Sequence, residues 1–319
     1  MLPSGLSPML ATPGSLPADD EGWSYEIKWD GVRALAYCAG AAAGVQLRSR
    51  NGNNVTAAYP ELQALAAQLG SRPAVLDGEV CVFDSAGRTD FGLIQSRMHV
   101  RRPSPALIAS APVQFLIFDV LHLDQQPTVD WTYDQRRETL LGLGLSGAAW
   151  STPPAISGDG ATIVAQSKAA GLEGIVAKRR DSRYLPGRRS PTWTKIKNIR
   201  RTSAVVVGWT PGEGNRAGQI GSLLLGVYGD NGFEYAGHVG TGFTQATLAR
   251  LQRLLEPLRI DQSPLDTPVP RAHVKGAVWL QPVTVAEVDF TEWTRTGALR
   301  HPSFKGIRDD YDPRKVTRD

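Results

Sequence analysis

A lysine set among carboxylates, with an arginine five residues on, is the most reactive-looking stretch of this chain: Tyr25-Glu26-Ile27-Lys28-Trp29-Asp30-Gly31-Val32-Arg33. An amine held between fixed charges suits a nucleophile that attacks a phosphate; a solvated lysine on an amphipathic edge strand is the ordinary alternative. Three further pieces carry chemistry. Leu76-Asp77-Gly78-Glu79 puts a carboxylate after a glycine, where it could accept from a ribose hydroxyl or hold the water shell of a metal. Phe118-Asp119 ends the apolar run Phe115-Leu116-Ile117, so core packing is the default reading of Phe118. Trp193-Thr194-Lys195-Ile196-Lys197 puts two lysines two residues apart, hence on one face of a strand. Like charges side by side call for a phosphate, or else mark a solubilised edge.

The elements that must position these groups follow from periodicity. Trp23, Tyr25, Ile27 and Trp29 alternate with Ser24, Glu26, Lys28 and Asp30, which predicts a half-buried strand, with Gly31 permitting a tight turn. Strands are predicted over Arg33–Cys38, Val45–Arg50, Val75–Phe83, Val113–Leu123, Glu173–Arg179 and Thr192–Lys197, and helices over Tyr59–Leu69, Tyr133–Leu143 and Thr162–Ala170. This reads as an α+β or α/β domain ending near Arg201, after a Pro-, Gly- and Ser-rich extended lead-in over residues 1–22. Beyond it, strands at Ala204–Trp209, Ser222–Tyr228, Phe233–Val239 and Ala277–Phe290, with one helix over Thr244–Leu258, suggest a small barrel of the oligonucleotide-binding (OB) kind. The predicted domains are therefore 23–201 and 202–319.

Composition narrows the partner. The chain has 319 residues, 41% hydrophobic and 21% charged, as in an ordinary globular protein of two domains. Net charge is +4, and the cations cluster. From Arg183 to Arg201 there are Arg183, Arg188, Arg189, Lys195, Lys197, Arg200 and Arg201 with no acid, and Arg97, His99, Arg101 and Arg102 form a second group. Such clusters are either solvated loops or phosphate contacts. Cys38 and Cys81 sit in apolar runs and read as buried free thiols. No apolar run is long enough for a membrane span and no signal pattern is visible, so a cytoplasmic location is expected.

The spacing Lys28-x-Asp30-Gly31-x-Arg33 resembles the first motif of the covalent nucleotidyltransferases, which comprise DNA ligases, RNA ligases and mRNA capping enzymes. Asp77-Gly78-Glu79, Phe118-Asp119, Glu173-Gly174-Ile175-Val176-Ala177-Lys178 and Trp193-Thr194-Lys195-Ile196-Lys197 resemble the family's later motifs in the same order. The opening Leu6-Ser7-Pro8-Met9-Leu10-Ala11, the stretch His238-Val239-Gly240-Thr241-Gly242-Phe243 and the stretch Arg300–Asp310 look like the ligase domain of bacterial ligase D and its stand-alone end-joining relatives.

That resemblance implies an ATP-dependent DNA ligase: an ATP-grasp-like nucleotidyltransferase domain of antiparallel sheets with flanking helices, followed by an OB-fold β-barrel. It makes Lys28 the residue that carries AMP. It places Glu26 at the adenine edge, Arg33 near the ribose, Arg50 (in Ser49-Arg50-Asn51-Gly52) on phosphate, Phe118 against the purine, and Lys178, Lys195, Lys197 and Arg308 on the phosphates. Lys195 and Lys197 would also favour the neutral Lys28 amine. Glu79 and Glu173 would hold Mg²⁺ or Mn²⁺. Implied partners are nicked or broken duplex DNA and, in non-homologous end joining, Ku and polymerase or nuclease modules, in a monomer associated with a bacterial nucleoid. A hinge is expected near Asn198–Ser203. The family's sixth motif usually reads Arg-x-Asp-Lys; here Arg308-Asp309-Asp310-Tyr311 lacks the lysine, which predicts slower self-adenylylation unless Lys305 or Arg314 substitutes. The rival functions are RNA guanylyltransferase or RNA ligase, and a non-catalytic DNA-binding end-joining module. An NAD⁺ donor is disfavoured, because no nicotinamide-recognising domain precedes Lys28.

Overall fold

The computed structural model describes every residue except Met1, His99, Asn215, Arg216 and Asp319. The chain divides into two compact units, Met1–Asn198 and Ile199–Asp319. The first contains ten strands: β1 (Leu10–Pro13), β2 (Trp23–Ile27), β3 (Val32–Cys38), β4 (Val45–Ser49), β5 (Ala74–Val82), β6 (Val113–Leu123), β7 (Gln126–Pro127), β8 (Trp150–Ser151), β9 (Gly174–Arg179) and β10 (Arg189–Lys197). Its helices are α1 (Leu65–Leu69), α2 (Phe91–Met98), α3 (Pro105–Ser110), α4 (Tyr133–Gly142) and α5 (Gly160–Ala169).

Two sheets result, ordered β1-β10-β9-β2 and β4-β3-β5-β6-β7, with β8 added to β6. Pairing is antiparallel except for β1 with β10 and β6 with β8. Three apolar layers follow from the strand alternation. Tyr25, Ile175, Ala177 and Ile163 of α5 cover one face of the first sheet. Leu47, Leu76, Ile117 and Leu65 lie in the large core on one side of the second. Between these, Leu35, Val75, Phe118, Tyr184, Trp193 and Met9 form the layer that floors the site.

The strand carrying Tyr25 and Glu26 departs from the half-buried expectation. Ser24 and Glu26 are as buried as Tyr25, so its polar face is covered too. The strand ends at Ile27, and Lys28 follows it with its N–H donated to the Gly174 carbonyl at 2.9 Å. Gly31 is required for a reason other than a turn: a Cβ there would lie 2.4 Å from the Val80 carbonyl oxygen and 2.7 Å from Cys81 Sγ. The loop after Lys28 is thus pressed onto β5, two residues from Glu79. The predicted helix over Tyr59–Leu69 is a 3₁₀ turn, Pro60–Ala64, running into the short α1. The lead-in contributes the edge strand β1.

The second unit holds β11 (Arg200–Pro211), β12 (Ile220–Gly229), β13 (Gly232–Val239), β14 (Arg259–Ile260), β15 (Val278–Phe290) and β16 (Ser303–Arg308), with helices α6 (Gln245–Leu255) and α7 (Arg271–Val274). The sheet runs β13-β12-β11-β15-β14, with β16 on β15. Its core takes Leu248, Leu251 and Leu255 from one face of α6. The two stretches that looked ligase-like here are neighbours: Phe304 N–H donates to the Thr241 carbonyl at 3.0 Å, and the Phe243 and Phe304 rings lie 5.0 Å apart. Among the described residues no helix is long and apolar enough to cross a membrane.

Candidate active site

Antiparallel register brings the candidate residues onto one sheet face. Glu26 and Lys195 both pair with Val176, Ser24 and Trp193 with Lys178, and Lys197 with Gly174. Glu79, opposite Arg33 in the β3–β5 ladder, comes from the other sheet. A cavity of about 220 Å³ opens between the sheets, lined by Glu26, Lys28, Arg33, Arg50, Glu79, Phe118, Lys178 and Lys195. Arg189, named from sequence only as one of a basic cluster, lines it as well, as do Trp193, Leu10 and Ala11, which had no role assigned from sequence.

At the mouth, Lys28 Nζ donates to Glu173, whose other oxygen is 2.9 Å from Lys197 Nζ. Burial alone would raise the Glu173 carboxyl, but Lys28 and Lys197 hold it below the usual carboxylate range. Lys28 is therefore in contact with a carboxylate that Lys197 shares. Lys195 carries the strain of that crowding: desolvation, then Lys28, Lys197 and Arg189, lower its pKa. Gly174, beside Glu173, has φ +146°, and a Cβ there would meet the Ile196 carbonyl oxygen at 2.1 Å. Glycine lets β9 approach β10 closely enough for the Glu173–Lys197 pair.

Glu79 fits a cation. Burial pushes its carboxyl up to about 7, against the pull of Arg33 and Lys28, and among the described residues no side chain hydrogen-bonds to it. Among the described residues no three His, Cys, Asp or Glu side chains converge as a metal cage. Two carboxylates, Glu79 and Glu173, match a hydrated Mg²⁺, which keeps several waters and takes one or two protein carboxylates plus substrate phosphates.

The far end of the cavity differs from the expectation. Lys178 does not face the mouth where Lys28 sits; it is 2% exposed, 2.7 Å from Glu26 Oε2, and its Nζ lies 4.1 Å from the Trp193 ring centroid and 4.6 Å from that of Phe118. Glu26 also accepts from the Tyr133 hydroxyl at 2.7 Å, so its carboxylate is committed to the floor. Arg33 pairs with the buried Asp77 through Nε at 2.5 Å and Nη2 at 2.6 Å, and its guanidinium stands 4.5 Å from the Phe118 centroid. Phe118 reaches the cavity only 9% exposed, with both cations already against its ring.

The basic clusters separate in the same way. Arg97 is fully buried, bound to Glu61 at 2.9 and 3.0 Å and to the carbonyls of Ala58 and Ala111, so it contacts no phosphate. Arg101 and Arg102 are exposed, and His99 lies outside the described residues. Arg183, Arg188, Arg189, Arg200 and Arg201 are all exposed. Cys38 and Cys81 are buried free thiols, as expected.

In the second unit, Arg308 pairs with Asp310 at 2.7 Å and stands 5.0 Å from the Tyr311 ring centroid. Lys305 is held by Asp289 at 3.0 Å, an aspartate that also binds Arg201, so its charge is already engaged. The chain passes between the units at Asn198, which is buried and bound to Ser167 and Leu172, and Ile199, which is exposed; Arg200–Ser203 already belong to β11.

Comparison with known proteins decides the family. Residues 8–197 match the model of the ATP dependent DNA ligase domain, and residues 216–311 that of the ATP dependent DNA ligase C terminal region. This chain belongs to the ATP-dependent DNA ligases. The ligase is 42% identical over 315 residues to the multifunctional non-homologous end joining DNA repair protein LigD of Mycobacterium tuberculosis, covering 98% of this chain and 40% of that protein. The chain thus spans about two-fifths of the length of the LigD proteins it matches. The crystal structure of the M. tuberculosis LigD ligase domain aligns over 98% of both chains at TM-score 0.56 and 42% identity, and mycobacterial DNA ligase D complexed with ATP and MES at TM-score 0.57 and 41% identity. A Lig E DNA ligase, 20% identical at TM-score 0.64, shares the fold.

Proposed function

We propose that Lys28 is the nucleophile of a three-step, ATP-driven sealing of 5′-phosphate/3′-hydroxyl breaks in duplex DNA. The observation that carries this reading is the meeting of Lys28, Glu79, Arg50, Lys195 and Arg189 around one cavity. Deprotonated Lys28 Nζ attacks the α-phosphorus of ATP; the P–N bond forms, the bond to the leaving oxygen breaks, and pyrophosphate departs. The DNA 5′-phosphate then displaces Lys28 from the AMP phosphorus. Finally the 3′-hydroxyl attacks the activated 5′-phosphorus, loses its proton and expels AMP. Each step passes negative charge beside Lys28; Lys195 and Arg189, which line the cavity, and Lys197, which shares Glu173 with Lys28, are assigned to bind it, and Arg308 is assigned the same task in the second unit. Lys28 must first leave Glu173. Glu79 and Glu173 are the residues to hold Mg²⁺ or Mn²⁺, which would supply charge neutralisation on the phosphates.

The biological setting we infer is non-homologous end joining, with Ku and end-joining polymerase or nuclease modules as partners of a monomer; the likeness to LigD supports it. Arg33, Phe118, Glu26 and Lys178 are assigned to the floor and base end of the nucleotide site, Lys178 without a phosphate contact.

The test is intact-mass analysis after incubation with ATP or GTP, followed by sealing of a nicked duplex. An AMP adduct from ATP alone, absent in Lys28→Ala, supports the reading. A GMP adduct would favour a guanylyltransferase, and sealing that survives Lys28→Ala would refute the mechanism.

A further inference from the structure

The N-terminal segment crosses the cavity rather than leading up to it: Leu10 and Ala11 line the space beside Lys28, Arg33 and Phe118. It is tied along the Tyr184–Arg189 loop. Gly187 N–H donates to the Ser7 carbonyl at 2.9 Å, Leu10 N–H to the Arg188 carbonyl at 2.8 Å, and the Arg189 guanidinium to the Ala11 carbonyl. At the centre is Met9, wholly buried. Its N–H donates to the Tyr184 hydroxyl at 2.8 Å; that hydroxyl donates to Asp77 Oδ2 at 2.5 Å; Asp77 accepts from Arg33; and Arg33 Nη2 returns to the Met9 carbonyl at 3.4 Å. Both backbone polar groups of Met9 are therefore used in one closed ring of hydrogen bonds, and the ring includes the guanidinium that stands on Phe118.

We propose that this ring latches the segment Leu6–Ala11 over the nucleotide site, and that Tyr184 is a positioning residue for ATP, acting through Met9 and Asp77. The inference rests on the cavity being the ATP site. Closed rings of this kind resist single breaks, because each opened bond leaves a buried donor or acceptor without a partner. Three of the members, Met9, Asp77 and Tyr184, are buried, and only Arg33 reaches the cavity, so ligand contact at Arg33 and seating of the segment are one event. The ring also gives a reason for Tyr184 and Asp77 to be polar in a layer otherwise filled by Leu35, Val75, Leu121 and Trp193.

Two experiments test it. In the first, formation of the Lys28–AMP adduct is followed against ATP concentration for wild type and Tyr184→Phe, with sealing of pre-adenylylated nicked DNA, which needs no ATP, as the internal control. Tyr184→Phe should raise KM for ATP at least fivefold, keep kcat within twofold and leave the control within twofold. Equal losses in all three readouts would mean a general packing defect and overturn the proposal, as would an unchanged KM. The second uses the unmodified protein, so it does not depend on a variant folding: hydrogen–deuterium exchange of the segment 6–14 with and without a non-hydrolysable ATP analogue. Slower exchange on binding supports the latch; exchange unchanged by bound nucleotide refutes it. Failure of the wild type to form any AMP adduct would instead remove the ATP-site reading, and is distinct from either result.

Discussion

Replacing Lys178 with methionine should damage stability first and nucleotide affinity only as a consequence. Lys178 and Glu26 are 2% and 7% exposed, and their pair is 2.7 Å long. Breaking a buried pair by removing one partner costs about 3–5 kcal/mol, because a charge is left uncompensated. Glu26 keeps its hydrogen bond from Tyr133, which points to the lower end of that range, about 3 kcal/mol. For a unit of this size a kilocalorie shifts Tm by about 2–4 °C, so the expected loss is roughly 6–12 °C.

Glu26→Gln alone should cost a similar amount, since it strands the Lys178 ammonium against three aromatic rings. The double variant Lys178→Met/Glu26→Gln removes both charges and should recover about 2 kcal/mol or more relative to the sum of the singles. Urea and thermal unfolding of the four proteins measure this coupling. Burial lowers the Lys178 pKa while Glu26, and after it Asp119, oppose the shift, which fits an ammonium whose charge is held mainly by Glu26. Additive single-variant losses, or a Lys178→Met protein with wild-type Tm and a raised KM for ATP, would refute this placement and return Lys178 to the phosphates.

Three more outcomes follow from the geometry. Glu79 has its folded pKa raised from 4.5 to about 7, so its contribution to stability is fully present below pH 4.5 and is lost as pH rises through 7; in EDTA, wild type should lose about 2 kcal/mol relative to Glu79→Gln between pH 5 and pH 8, the full shift being discounted for partial exposure, and parallel unfolding curves at the two pH values would disprove it. Tyr311→Lys restores the family's usual cation beside Arg308, and should speed adduct formation about tenfold, a gain of about 1.4 kcal/mol in barrier, without changing sealing of pre-adenylylated DNA; an equal gain in both would point to general DNA affinity. Gly174→Ala adds a Cβ where the Ile196 carbonyl oxygen is 2.1 Å away and φ is +146°, so it should cost about 3 kcal/mol or more and cut the yield of folded protein, whereas a stable, inactive variant would mean that β9 can move away from β10.

Local pattern carried much of the fold, and its failures have physical causes. Alternation and apolar runs located most of the long ladder strands, though not β16, and could not show that β2, β5 and β6 are covered on both faces. It could not reveal β1, β7, β8 or β14, of four residues or fewer, whose pairing comes from distant segments. The helix α2 hides because its buried positions include a charged residue: Arg97 is satisfied by Glu61, thirty-six residues away. Ser24 and Glu26 looked solvent-facing for the same reason, because the groups that let them be buried, Lys178 and Tyr133, lie more than a hundred residues on. Tyr184 is lost among the cations of the stretch 183–189, and Asp77, in an otherwise apolar run before Gly78-Glu79, has no visible role until its partners Arg33 and Tyr184 are placed.

The same logic sorts the cations of the cavity better than any motif. Six basic side chains line it: Lys28, Arg33, Arg50, Lys178, Arg189 and Lys195. Arg33 and Lys178 are neutralised from beneath by Asp77 and Glu26, in geometries of 2.5 to 2.7 Å, so they have little charge left for a ligand and instead pin the floor around Phe118. Arg50, Arg189 and Lys195 have no carboxylate within ion-pair distance among the described residues. Arg50 and Arg189 are exposed and Lys195 is half-buried; an anion among them would relieve the repulsion that, with desolvation, lowers the Lys195 pKa. Lys28 stands between the two groups, joined to Glu173, which Lys197 shares. On the proposed mechanism, an anion arriving at Lys197 would compete with Glu173 for its charge, so phosphate binding and release of Lys28 would be coupled by one carboxylate.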